Sequence, residues 1–272
     1  MTYRTILAYA DAEPAATIRF QIAAALAARS DATLDGVFVK PLFVPPPSFD
    51  AGAYVPPTTL EVLAESHRAL VAKAEETAQT NFAAAADQAR ARAEWAAIED
   101  GAPRGFIGLA RCSDLVVFPK SGTSVPPLSP MELARESAAP LVLVPTSPNS
   151  TRPGRKVLLA WNGSREAASA LRGAWPIIEE ADRVHVVMVE PPAEAEAFIG
   201  KRLKRHGVTA QMHINRSADA QAGEIIRNKA EELSVDLVVM GLYGHSRLRE
   251  LILGGASRTM LDQETLTLLV SR

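Results

Sequence analysis

Short apolar runs alternate along the chain with Ala-, Glu- and Lys-bearing stretches whose apolar positions recur at helical spacing. Val184–Val189 and Val235–Met240 are near-continuous apolar runs, the pattern of parallel strands buried on both faces. In the second half the pattern predicts strands near 156–161, 183–189, 208–214, 235–240 and 266–270, with helical stretches between them. Strand–helix alternation of this kind predicts a doubly wound α/β sheet.

The pattern occurs twice. Thr5-Ile-Leu-Ala-Tyr-Ala-Asp11 resembles Lys156-Val-Leu-Leu-Ala-Trp-Asn162 at an offset of 151, and Ser113-Asp-Leu-Val-Val117 resembles Val235-Asp-Leu-Val-Val239 at an offset of 122. Leu141–Val144 parallels Leu268–Val270. The difference in offsets places about 29 extra residues in the first copy. They fall on a proline-rich insertion, about 41–57, which cannot be regular helix or central strand, and on a helix-prone run from about Leu60 to Arg92. The insertion reads as a lid or partner surface. Pro145 to Gly154 is rich in Pro, Ser and Thr and reads as a linker, so the expected domains are 1–146 and 155–272.

Composition removes several function classes. Lys plus Arg number 29 against 31 Asp plus Glu, a net charge of −2, so the chain lacks the basic excess that nucleic acid demands. No apolar run approaches the roughly 20 residues of a membrane span. Met-Thr-Tyr-Arg-Thr5 leads straight into a strand without a signal-peptide core, so a cytoplasmic location is expected. The single cysteine, Cys112, excludes an internal disulfide; as a free cysteine it is expected to be buried and inert. The five histidines show no metal-ligand spacing, and His185 is expected at a partly buried or surface position in its strand.

Open parallel sheets bind ligands beyond the carboxyl ends of their strands, where loop and helix amides are free. After Met240 the chain reads Gly241-Leu-Tyr-Gly244, then nine residues to Gly254-Gly255-Ala256-Ser257, a Gly-x2-Gly-x9-Gly frame. Such glycines let backbone approach a phosphate closely. On spacing alone the alternative stays open: a tight turn at Gly241 and Gly244, with Gly254 capping a short helix.

Together with the strand ending Ala160-Trp-Asn162-Gly-Ser164, this frame resembles the universal stress protein family over nearly the whole chain. The resemblance implies two tandem five-stranded parallel-sheet α/β domains, adenine nucleotide alpha hydrolase-like, packed as a pseudo-dimer through their last strands, Leu141–Val144 and Leu268–Val270. It implies ATP or a related adenine nucleotide in the C-terminal domain. Asn162 and Val189 would meet adenine, Met240, Gly241 and Gly244 would line the ribose and phosphate path, and Gly254, Gly255, Ala256 and Ser257 would hold phosphates. Magnesium is expected only as the companion of ATP. Two residues depart from the family pattern: Gly255 stands where Ser or Thr is usual, and Asn162 where Asp is usual.

The first copy keeps Asp11 but loses the glycine frame: Pro119, Pro126, Pro127 and Pro130 remove amide donors, leaving Lys120 and Ser121 as the residues able to meet an anion. A degenerate, nucleotide-free N-terminal site is therefore expected. The resulting expectation is a regulatory sensor module that binds an adenine nucleotide and unidentified protein partners, with a homodimer of the whole chain as a further expectation. The alternative is a nucleotide-free scaffold acting through protein partners. Hydrolysis is least favoured, because only Ser257, His245 and Glu250 lie near the loop.

Overall fold

The computed structural model describes residues 2–45, 56–99, 104–124, 127–217, 221–242 and 255–272. Much of the proline-rich insertion, and Gly244, His245, Glu250 and Gly254 of the glycine loop, lie outside the described residues.

The first half runs β1 (Thr5–Ala10), α1 (Ala16–Ser30), β2 (Thr33–Val39), α2 (Pro57–Ala89), β3 (Arg92–Ile98), α3 (Arg104–Ala110) and β4 (Leu115–Pro119). A small hairpin of β5 (Thr123–Ser124) and β6 (Pro127–Leu128) follows, then α4 (Pro130–Ser137) and β7 (Leu141–Val144). The second half runs β8 (Lys156–Ala160), α5 (Arg165–Ile178), β9 (Arg183–Val189), α6 (Ala195–Arg205) and β10 (Ala210–Asn215). It ends with α7 (Ala222–Glu232), β11 (Leu237–Gly241), α8 (Gly255–Leu261) and β12 (Thr267–Ser271).

One ten-stranded sheet has the order β10-β9-β8-β11-β12-β7-β4-β1-β2-β3. Each half thus has its strands in the order third, second, first, fourth, fifth, all parallel. The halves join where β12 pairs antiparallel with β7, Leu268 opposite Leu143 and Val270 opposite Leu141. These are the last-strand contacts that the resemblance implies.

Side chains alternate across each strand, so two apolar layers form, one per sheet face. Ile6, Ala8, Val157 and Leu159 lie in one layer, while Leu7, Tyr9, Leu158 and Ala160 lie in the other. Both layers continue through both halves, and β4, β7 and β12 are buried along their whole length. The repeated Asp-Leu-Val-Val segment has a local cause. Asp114 accepts hydrogen bonds from the amides of Arg4 and Thr5, and Asp236 from those of Gly154, Arg155 and Lys156. In each half, the carboxylate preceding the fourth strand holds the start of the first.

The insertion differs from expectation at both helix ends. Helix α2 starts at Pro57, since proline at the first helical position loses no intrahelical bond. It stops at Ala89 because Arg90 turns left-handed (φ 56°), its amide bonding back to Ala86 and Asp87, which frees Arg92 to open β3. Only Ala78, Phe82, Ala85 and Ala86 of α2 are buried. Phe82 sits over Gly36, where a Cβ would lie 2.7 Å from its ring, and contacts Phe20 and Trp95.

Candidate functional site

In the second half, the ends of β8, β9 and β11 diverge under α7 and α8 and enclose a pocket of about 340 Å³. Its walls are Ala160, Trp161, Asn162, Val187, Val189, Glu190, Ala222, Ile226, Met240, Gly241, Gly255, Ala256 and Ser257. It lies beyond the strands' carboxyl ends, where open parallel sheets offer unpaired loop amides.

The register explains the shape. Ala160 lies opposite Met240 on one side and Val187 on the other, so a small residue stands between two larger ones and leaves a slot. Past Ala160 the chain turns sharply: Asn162 Oδ1 accepts from the Ser164 amide (3.0 Å), and Gly163 takes φ +74°. Ser164 then caps α5, its Oγ accepting from the Ala167 amide at 3.1 Å. That first turn crosses directly over β11: a Cβ on Gly241 would come within 2.4 Å of the Ala167 nitrogen. Gly241 is therefore required for helix–strand approach, apart from any role toward a ligand. Across the pocket, α7 and α8 meet at Gly223, where a Cβ would lie 2.7 Å from Thr259. Gly255, in contrast, has no described residue within 4 Å of its Cβ position, so nothing among the described residues sterically excludes a hydroxyl-bearing residue there.

Glu190 carries the only formal charge among the described lining residues. It adopts a left-handed backbone (φ 46°) held by its amide's bond to the Asn215 carbonyl at 2.8 Å. No Lys or Arg is among those residues, so a bound anion there would be met by backbone amides and the Ser257 hydroxyl. Ser257 is 4% exposed.

Asn162, Val189, Met240, Gly241, Gly255, Ala256 and Ser257 thus line one pocket, while Gly244 and Gly254 lie outside the described residues. Ala160, Trp161, Val187, Glu190, Ala222 and Ile226, none of them assigned to the site from sequence, also line it. The 151-residue offset carried a signal for Ala160, since it aligns this alanine with Tyr9.

The first half shows what that exchange does. Tyr9 lies opposite Val37, as Ala160 lies opposite Val187, and the β1–β4 register places Phe118 where β11 has Met240. Tyr9 packs edge-on against Phe106 and Phe118, with ring centroids 5.2 Å apart in each case, and all three are buried. The space that is open in the second half is filled with aromatic rings. Asp11 is also committed, accepting from Arg19 at 2.7 Å, while Arg19 Nε donates to the Tyr9 carbonyl. The Lys120 ammonium is instead buried and donates to the carbonyls of Gln263 (2.6 Å) and Leu266 (3.1 Å) in the other half.

Two other expectations change. Cys112 is exposed, because it lies in the turn between α3 and β4 and not within the strand. His185 is buried, and its Nδ1 lies 3.2 Å from His213 Nε2 on the adjacent strand β10. Burial first, then neighbouring positive charge, holds both imidazoles below their usual range. Among the described residues no group of three or more His, Cys, Asp or Glu could hold a metal ion, and no helix is long and apolar enough to cross a membrane.

No family model matches the sequence, and no curated protein matches it. Solved structures do. A universal stress protein from Archaeoglobus fulgidus DSM 4304 aligns over 98% of this chain and 98% of its own, with 14% identity and a TM-score of 0.68. A protein from Pseudomonas aeruginosa UCBPP-PA14 assigned to the same group aligns over 99% of this chain and 93% of its own, with 17% identity and a TM-score of 0.56. The chain therefore has the mixed α/β fold of universal stress proteins along nearly its whole length.

Proposed function

We propose that this chain is a tandem universal stress protein, with domains 1–146 and 155–272, that binds ATP or a related adenine nucleotide in the second domain and acts as a regulatory module. The observation that carries this reading is the convergence of Asn162, Val189, Met240, Gly241, Gly255, Ala256 and Ser257, which the family resemblance picks out, on one pocket of about 340 Å³. Small-molecule sites of roughly 300–1,000 Å³ with apolar walls and few polar groups are the common kind. The slot between Val187, Ile226 and Met240 suits a flat heteroaromatic base, with Glu190 placed to accept from hydroxyls. Phosphates would extend toward Gly255, Ala256 and Ser257. The first domain, its equivalent space filled by Tyr9, Phe106 and Phe118, binds no nucleotide in this reading.

A scaffold reading is favoured by one feature: the only charge lining the described pocket is the Glu190 carboxylate, which repels phosphate. Mass spectrometry of small molecules released from the purified, denatured protein separates the two. Stoichiometric adenine nucleotide supports the first reading; its absence, with no heat on ATP titration, supports the scaffold.

A further inference from the structure

Lys120 directly follows β4, three residues before the β5–β6 hairpin begins, and its amide is fixed to the Val144 carbonyl at 2.9 Å. Its side chain crosses from the first half into the second, is only 6% exposed, and donates to the carbonyls of Gln263 and Leu266. Those carbonyls belong to the turn between α8 and β12. The opposite end of α8 supplies Gly255, Ala256 and Ser257 to the pocket wall. One buried ammonium in one half thus grips the tail of a helix whose head lines the cavity of the other.

We propose that Lys120 is a positioning residue by which the N-terminal half sets the placement of α8, and with it the pocket wall formed by Gly255, Ala256 and Ser257. The consequence for affinity rests on the nucleotide reading above; the mechanical link does not. Charge-assisted hydrogen bonds are the strong, directional kind, and cations are favoured at helix C-terminal ends. Burial also penalises the charge, lowering the ammonium's pKa to about 8, with the Asp262 carboxylate pulling the other way. A methionine would fill similar space without that desolvation cost, so the lysine's contribution is to fix where the turn sits, not to stabilise the fold overall. Overall stability and local placement should therefore separate on substitution.

In Lys120→Met protein, the urea midpoint is expected to stay or rise. Amide hydrogen exchange over residues 255–266 should accelerate roughly tenfold, and ATP affinity should fall by a similar factor. In wild type, ATP affinity should weaken between pH 7 and pH 9.5 as the ammonium loses its proton, while Lys120→Met stays flat. Unchanged exchange over 255–266 in a folded variant overturns the inference. A flat wild-type affinity profile overturns it as well, and the wild-type series carries the test should the variant fail to fold. If wild type binds no nucleotide, the nucleotide reading fails, and the exchange measurement alone decides whether Lys120 places α8.

Discussion

Replacing Ala160 by phenylalanine should close the pocket of the second half in the way Tyr9 closes its counterpart in the first. Ala160 is 8% exposed and lies between Met240 and Val187, so a ring at this position projects into the slot assigned to the base. Excluding the base forfeits its apolar burial, about 1.5–3 kcal/mol for a group of that size. One hydrogen bond to its edge adds about 1 kcal/mol. The sum corresponds to a loss of roughly 100- to 1,000-fold in ATP affinity. Stability should respond quite differently. The new ring gains about 1.5–3 kcal/mol by leaving water and gives back about 1–3 kcal/mol if the walls must shift, leaving little net change. Titration calorimetry and urea denaturation on the same preparations measure both quantities. ATP binding within threefold of wild type in a folded Ala160→Phe protein would refute the assignment of this slot. Loss of binding together with a collapse in stability would refute the analogy with Tyr9.

Other outcomes follow from the same packing. Tyr9→Ala should cost about 3–5 kcal/mol in urea denaturation, because it removes the ring that packs against both Phe106 and Phe118; a cost under about 1 kcal/mol would contradict a filled site. Gly36→Ala should destabilise by about 1–3 kcal/mol, since its Cβ would meet the Phe82 ring at 2.7 Å. Pairing it with Phe82→Leu should recover part of that loss, and failure to do so would place the clash elsewhere. Lys120 has a folded pKa of about 8 against an ordinary 10.5, so the unfolded chain binds its proton more tightly. Its contribution to stability should accordingly rise between pH 8 and pH 10.5 by about 3 kcal/mol. The wild-type minus Lys120→Met difference in unfolding free energy at pH 8 and pH 10 reads this term; a fall with pH would contradict it.

The duplication and the strand pattern made the fold legible from sequence. Val184–Val189 and Val235–Met240 are apolar on both faces because each lies inside a sheet covered on both sides. Segment ends were less legible where backbone conformation decided them, as at Pro57 and Arg90 of α2. The glycine frame pointed to the loop after β11, yet gave Gly241 only a turn or ligand role, because the crossing of α5 over that strand is a tertiary contact. The walls contributed by Ala160, Val187 and Ile226 look like ordinary core in a linear reading. What makes them a pocket is cross-strand register, which sets Ala160 beside Met240 in one half and Tyr9 beside Phe118 in the other. Lys120 was misread for a similar reason: its acceptors lie 143 and 146 residues away, in the partner half.

Met240 is buried, lines the pocket, and is one of six methionines, which makes its methyl group a direct reporter. With methyl-labelled methionine, and the signal assigned through Met240→Leu, added ATP should shift the Met240 resonance and saturate it at one nucleotide per chain. Met131, on α4 of the first half, should stay in place. A stationary Met240 signal at saturating ATP, or saturation only at two nucleotides per chain, would contradict a single nucleotide site in the second half.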